Sequence, residues 1–564
     1  ARLIYAYQEA IAFYQRAIMF LKEQGDFELA ARTLMKLGLT HHAIFDFQES
    51  RQAYDEAFSL RLRMESTQPA ILEPAPHPFK QVYAEPPTLD PTIVNDDRSN
   101  LYIANIFSGL VELGTEYEII PDVAQSWEIS EDGRRYLFHL RDDVRWSDGV
   151  QVTAADFEFA LKRTLDPAIE QQGAARLLYD IKSARAYNMG EISDPDRVGA
   201  RAIDTLTLEV ELEQPASYFL YVLTSRFPVP RHVVEAHGDE WTDPVNLVSN
   251  GPFQLESYQP GGSFILARYP AYHGRFSGNL QEVEIKQNVP ILSPEELARY
   301  ESDDVDIAYL SEATIPARHR YVDEFISEPQ PGTIFVGFET SRPPFDDLRV
   351  RRAFVMAVDR ERLADEVLGG FHYPATGGLV PPAFPGHSSG IALPYDPDQA
   401  RQFLAQAGYP EGRGFPILEL VYYRLPKVLE YLKAQWSQNL NLDIPIEIME
   451  FAKFIKQPRS RNLLCMGWTA DYPDPDSFLR VCVRKFVPHW RNEPYERLLE
   501  GARRTSNQGE RIPSYQAADK ILIKQAAIMP ITYFSGHWLV KPWVKIPEGY
   551  RGFRFYKNII LEPH

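Results

Sequence analysis

"PDVAQSWEISEDGRRYLFHLRDDVRWSDGVQVTAADFEFALKR", residues 121–163, carries the local grammar of a mixed α/β fold in one run. In "RRYLFHLRDDVRW" apolar and polar residues alternate, as along a strand with one buried face, and "EDG" supplies the preceding turn. The period then changes. "TAADFEFALKRTL" opens on Thr153 as an N-cap with Asp156 at the third helical position, and Phe157, Ala160, Leu161 and Leu165 share one helical face. Further along, "TLTLEVELEQ" and "GSFILARY" read as strands, so the chain from Gln81 onward is expected to be α/β or α+β, built mostly from local strand–turn–helix units.

Upstream the texture differs. The first 66 residues contain no proline and repeat apolar residues at three- and four-residue steps, which predicts helices. "EAIAFYQRAIM" from Glu9 matches "ESRQAYDEAFS" from Glu49, forty positions on, with Tyr14 over Tyr54 and Ala17 over Ala57. Ala10, Ala17, Ala53 and Ala57 would let helices approach closely while Tyr14 and Tyr54 fill the groove, and the pattern resembles tetratricopeptide repeats. An ordinary amphipathic hairpin is the plainer reading. "STQPAILEPAPHPF", with prolines at 69, 74, 76 and 78, reads as a semi-extended linker between this part and the rest.

At 564 residues the chain exceeds one ordinary core, and its 44% hydrophobic and 24% charged residues are ordinary for a folded protein. Lysine and arginine number 59 against 78 acidic residues, a net charge of −19, which disfavours nucleic acid as a partner. The cysteines, Cys465 and Cys482, have neither zinc-ligand nor CxxC spacing and leave the redox compartment open. No run of eighteen apolar residues appears, and Gln8, Glu9, Gln15 and Arg16 interrupt the N-terminal stretch, which is neither a membrane span nor a signal peptide. The chain starts without Met, as a mature form or a fragment would.

Catalytic and metal motifs fall away on inspection. "GHSSG" at 386–390 matches a nucleophile elbow formally, but "LVPPAFP" and "IALPYDP" flank it where a strand and a helix are needed. His41 and His42 are adjacent and cannot chelate together from one helix face. In "MGWTADYPDPDSFL", residues 466–479, Asp471, Asp474 and Asp476 lack the glycine and closing glutamate of a calcium loop, and Pro473 and Pro475 stand between them. No metal, no cofactor and no enzymatic activity are expected.

Seven segments in order carry a broader resemblance: "PTLDP" from Pro87, "YIANIFSGLVEL" from Tyr102, the stretch at 121–163, "SNGPFQLESYQPGGSFILARYPAY" from Ser249, "PPFDDLRVRRAFVMAVDRERL" from Pro343, "AGYP" from Ala407 and "GWTADYPDPDSFL" from Gly467. From about Val82 to His564 the chain resembles the family-5 extracellular solute-binding proteins, the oligopeptide and dipeptide receptors of ABC importers. "SNGPF" stands for the usual "GTGPF", and Glu339 for the Asn of "FNT". Where a secretory signal would stand, the helical repeats stand instead.

The resemblance implies a two-lobed periplasmic-binding-protein type II fold with an extra domain, plus the N-terminal all-α segment. The expected organisation is helical repeats at 1–66, linker at 67–78, first lobe at 79–112, 244–335 and 530–564, extra domain at 113–243 and second lobe at 336–529. It further implies that the backbone at Gly467 and Thr469 pairs with an extended short peptide, that Trp468 lines a side-chain pocket and that Asp471 meets the peptide's ammonium end. Arg424, Arg480 and Arg484 are candidates by type alone for its carboxylate. Expected partners are the peptide or a similar small solute, the membrane subunits of an ABC importer, and a protein bound through the helical repeats. The alternative is a peptide- or small-molecule-sensing domain of a larger tetratricopeptide-containing regulatory protein. An extracytoplasmic location is favoured, with the cytoplasm left open by the missing signal peptide.

Overall fold

The computed structural model describes residues 7–64, 72–94, 96–114, 118–169, 174–274, 276–382, 384, 386–418, 420–422, 426–448, 462–470, 472, 474–504, 508–546 and 555–564. Helices Tyr7–Gln24, Phe27–Ala43 and Phe47–Met64 form the N-terminal part, as the apolar spacing predicts. Asp26 caps the second helix by accepting from the Leu29 N–H at 3.0 Å. The second and third helices approach closely at Gly38. A Cβ there would lie 2.7 Å from the Tyr54 ring, and the Ser50 hydroxyl donates to the Gly38 carbonyl at 2.9 Å.

These helices do not stand apart behind a linker. A four-stranded antiparallel sheet, in the order Ala124–Ile129, Arg135–Leu140, Thr207–Glu211, Ala200–Asp204, packs against them. The Tyr54 and Phe58 rings meet Trp127 edge-on at 5.1 and 4.9 Å, and Phe47 fills the space a side chain at Gly133 would occupy. Gly133 also has φ +68, so the "EDG" turn requires glycine twice over. The His42 Nε2 and the Tyr136 hydroxyl are hydrogen-bonded at 2.8 Å, and burial holds that imidazole down to a pKa of about 4, hence neutral. Helices and sheet therefore share one apolar core.

The predicted capped helix spans Ala154–Thr164, with the Thr153 N–H donating to Asp156 Oδ2 at 2.8 Å. "GHSSG" lies in irregular backbone, and among the described residues neither the strand nor the helix an elbow needs flanks it.

Among the described residues the main sheet has eleven strands. From one edge, ten of them run Ile446–Ile448, Leu420–Tyr422, Leu463–Thr469, Phe325–Phe338, Ile528–Val540, Ile307–Tyr309, Phe79–Val82, Glu282–Lys286, Ser263–Arg268 and Phe253–Tyr258. Its two long central strands, Phe325–Phe338 and Ile528–Val540, pair antiparallel along most of their length. Their register shifts twice, between Ile334 and Phe335 and, more widely, between Pro329 and Thr333, where Pro331, which has no N–H, follows close behind Pro329. The long strands pair with each other on both sides of the wider break; on one side Ile528–Val540 also pairs with Ile307–Tyr309, and on the other Phe325–Phe338 also pairs with Leu463–Thr469.

Removing the Trp127 side chain empties the seat of Tyr54 and Phe58. Trp127→Ala is expected to cost about 3–5 kcal/mol in urea unfolding and to speed amide exchange in residues 47–64, although those helices lie elsewhere in the sequence.

Candidate functional site

The strand Leu463–Thr469 is apolar over most of its length because it lies inside the sheet. On one side it pairs with Phe325–Phe338, with Ile334 opposite Gly467, Thr333 opposite Trp468 and Gly332 opposite Thr469. On the other, the parallel ladder with Leu420–Tyr422 ends at Val421 and Leu464. Among the described residues no strand covers that side of residues 467–469, and Thr469 is exposed.

Alternation along the strand sets the environment of each residue. On the Gly467 face sits the Phe534 ring, which a Cβ on Gly467 would approach to 2.7 Å and one on Gly332 to 2.0 Å. Both glycines are needed for that ring to lie across the strands. Trp468 points the other way and is 9% exposed, packed edge-on to Phe486 at 5.7 Å, with the Lys485 ammonium 4.9 Å above its ring and its indole N–H donating to Ser477 Oγ at 3.4 Å. Asp471 and Arg424 lie outside the described residues.

The remaining carboxylates of "DYPDPD" are held by arginines. Asp474 pairs with Arg511 at 2.7 Å, both side chains almost fully buried. Asp476 is fully buried, pairs with Arg480 at 2.5 Å and accepts from the Tyr472 hydroxyl at 2.8 Å and the Tyr515 hydroxyl at 3.2 Å. Burial pushes both acids upward. For Asp474 burial wins over Arg511, whereas for Asp476 the charge and hydrogen bonds of Arg480, with Tyr472, outweigh it and hold the carboxyl below its ordinary value. Arg480 is thus committed inside this cluster, and Arg484 is exposed on the short helix Val483–Phe486. No group of three or more metal-ligating side chains occurs among the described residues.

Two neighbours complete the arrangement. Tyr472 stacks on Tyr218, from the region expected as the extra domain, with ring centroids 4.3 Å apart and planes 11° from parallel. The Tyr218 hydroxyl donates to Asp180 at 2.7 Å, and Arg503 approaches the same carboxylate at 3.8 Å. Asp519 meanwhile accepts from the Leu379 N–H at 2.9 Å, anchoring a loop whose Gly386 packs on Pro475. Sequence reasoning missed Tyr218, Asp180, Arg503, Arg511 and Asp519, none of which carries a motif.

The sequence profile of the bacterial extracellular solute-binding proteins, family 5, middle region, matches residues 118–486. The chain belongs to that family. Family-5 proteins are solute-binding receptors without enzymatic activity, periplasmic or otherwise outside the cytoplasm, and no described helix here is long and apolar enough to cross a membrane. A relative from Escherichia coli named as a probable deoxycholate-binding periplasmic protein is 33% identical over 82% of this chain and 89% of its own. The periplasmic oligopeptide-binding protein of the same organism is 29% identical over 83% and 88%.

Among solved family-5 structures, the E. coli murein tripeptide binding protein superimposes with a TM-score of 0.77 at 28% identity, covering 88% of this chain and 100% of its own. Its unliganded open form, again at 28% identity, covers 88% of this chain and 99% of its own, yet the TM-score is 0.66. The match is thus weaker to the form described as unliganded and open.

Two outcomes follow. Arg480→Met leaves Asp476 buried without its counter-ion and is expected to cost about 3–5 kcal/mol in urea unfolding at pH 7, partly recovered by adding Asp476→Asn. Burial raises Asp519 from 3.8 to about 7, so the folded chain keeps a proton that the unfolded chain releases near pH 4. Stability from this group is fully present below about pH 4 and is lost as pH rises through 7, a slope that Asp519→Asn should flatten when urea midpoints are compared across that range.

Proposed function

We propose that this protein is the receptor component of an ABC importer and holds a short peptide between two lobes for delivery to the membrane subunits. The observation that carries this reading is the side of residues 467–469 that no strand covers among the described residues, in a strand otherwise enclosed by a sheet. An extended peptide added there makes main-chain hydrogen bonds that are indifferent to its side chains. Gly467 and Thr469 supply the backbone, Trp468 forms the wall behind them and Asp471 receives the ammonium end.

In this reading the first lobe comprises 79–112, 244–335 and 530–564, the extra domain 113–243 and the second lobe 336–529, joined through the two long strands. The N-terminal helices form tetratricopeptide-like repeats. Their first helix offers Phe13, Met19 and Phe20, each more than half exposed, to a protein partner. A second reading replaces the peptide with a steroid-like amphipath, in line with the relative named as probable deoxycholate-binding.

Native mass spectrometry of the purified protein separates the two. A spread of masses matching short peptides supports the peptide reading, and one discrete non-peptide mass supports the other. Asp471→Ala is expected to weaken binding of free peptides at least tenfold in calorimetric titration while leaving N-acetylated ones unchanged; equal affinity of the parent protein for both forms would remove the ammonium role.

A further inference from the structure

We propose that Tyr218 and Tyr472 form a latch holding the closed arrangement of the lobes, which makes Tyr218 a positioning residue for ligand retention. The proposal rests on the receptor reading, and adds a role for the extra domain, which contributes no residue to the strand edge at 467–469. Tyr472 stands three residues after Thr469, yet its ring belongs to the apolar core of the N-terminal helices and the small sheet, whereas Trp468 belongs to the second lobe's cluster. The chain therefore crosses from one body to the other within a few residues.

Both ends of the stack are fixed. Tyr472 is tied by its hydroxyl to Asp476, with Arg480 donating to the Tyr472 oxygen at 3.2 Å as well as pairing with Asp476. Tyr218 is tied by its hydroxyl to Asp180, and Arg503 of the second lobe faces that same acid across the junction. Both rings are more than nine-tenths buried. Parting the lobes would separate the stack, hydrate two aromatic faces and pull Arg503 from Asp180. The anchoring bonds within each body would survive, so the contact can open and reform without local unfolding.

An offset aromatic pair contributes enough to change the closed-to-open ratio by about two- to tenfold. The test places spin labels on cysteines introduced at the exposed Ala236 and Glu496 and measures their distance distribution by pulsed electron resonance without added ligand. Tyr218→Ser is expected to move population toward longer distances. Tyr218→Phe, which keeps the stack, should retain most of the short-distance population. Arg503→Gln, at a less buried position, should shift it mildly and guards against a folding defect in Tyr218→Ser. A parent protein with no short-distance population, or identical distributions for parent and Tyr218→Ser, would overturn the latch.

With a tripeptide library as probe, the latch predicts that Tyr218→Ser raises the dissociation rate about two- to tenfold and leaves the association rate nearly unchanged. Shifted distances with no peptide binding by the parent protein would keep the latch and remove the peptide reading instead.

Discussion

Two long antiparallel strands, Phe325–Phe338 and Ile528–Val540, carry one sheet through both halves of the molecule. Backbone hydrogen bonding makes such a sheet stiff, so any relative motion of the halves must concentrate where pairing is broken. The pairing shifts between Ile334 and Phe335 and opens more widely between Pro329 and Thr333, where proline removes donors and Gly332 lies under the Phe534 ring. Gly467 lies under the same ring from the neighbouring strand. One aromatic side chain thus touches both the irregular segment and the strand whose edge is uncovered, which links hinge and edge by packing alone.

The acidic run that first suggests a metal loop is instead a set of internal supports. Asp474 and Asp476 are taken up by Arg511 and Arg480, and Tyr472 and Tyr515 satisfy the oxygens that remain. Burying so many charges is tolerable only because each is paired and hydrogen-bonded. The consequence is that Tyr472, Asp474 and Asp476 are each held by partners further along the chain.

Local features were legible in the sequence because their causes are local. The capping pair Thr153 and Asp156, the Gly133 turn and the three N-terminal helices all follow from spacing within a few residues. The ordered segments sufficed for the two-lobed family. Less legible was how Trp468 is held, since the Phe486 ring that packs against it lies eighteen residues further along the chain. Arg511, Asp519 and Tyr218 could not be read at all, since their meaning depends on partners far along the chain. The Pro-rich segment separates the helices from the rest in sequence but not in space, because apolar faces, not linkers, decide what packs together.

That packing constrains biosynthesis. The helices at 7–64 are synthesised before the sheet that covers them, carrying Phe47, Tyr54 and Phe58 whose cover is Trp127 and the surrounding strands, and the last strands of that sheet end only at Asp204 and Glu211. At about 5–20 residues per second the apolar face waits of order ten seconds for its seat. During that interval the nascent chain offers a sticky helical surface, so a chaperone or the helices' own pairing must shield it, and a slow stretch of translation anywhere in residues 65–211 would lengthen the exposure.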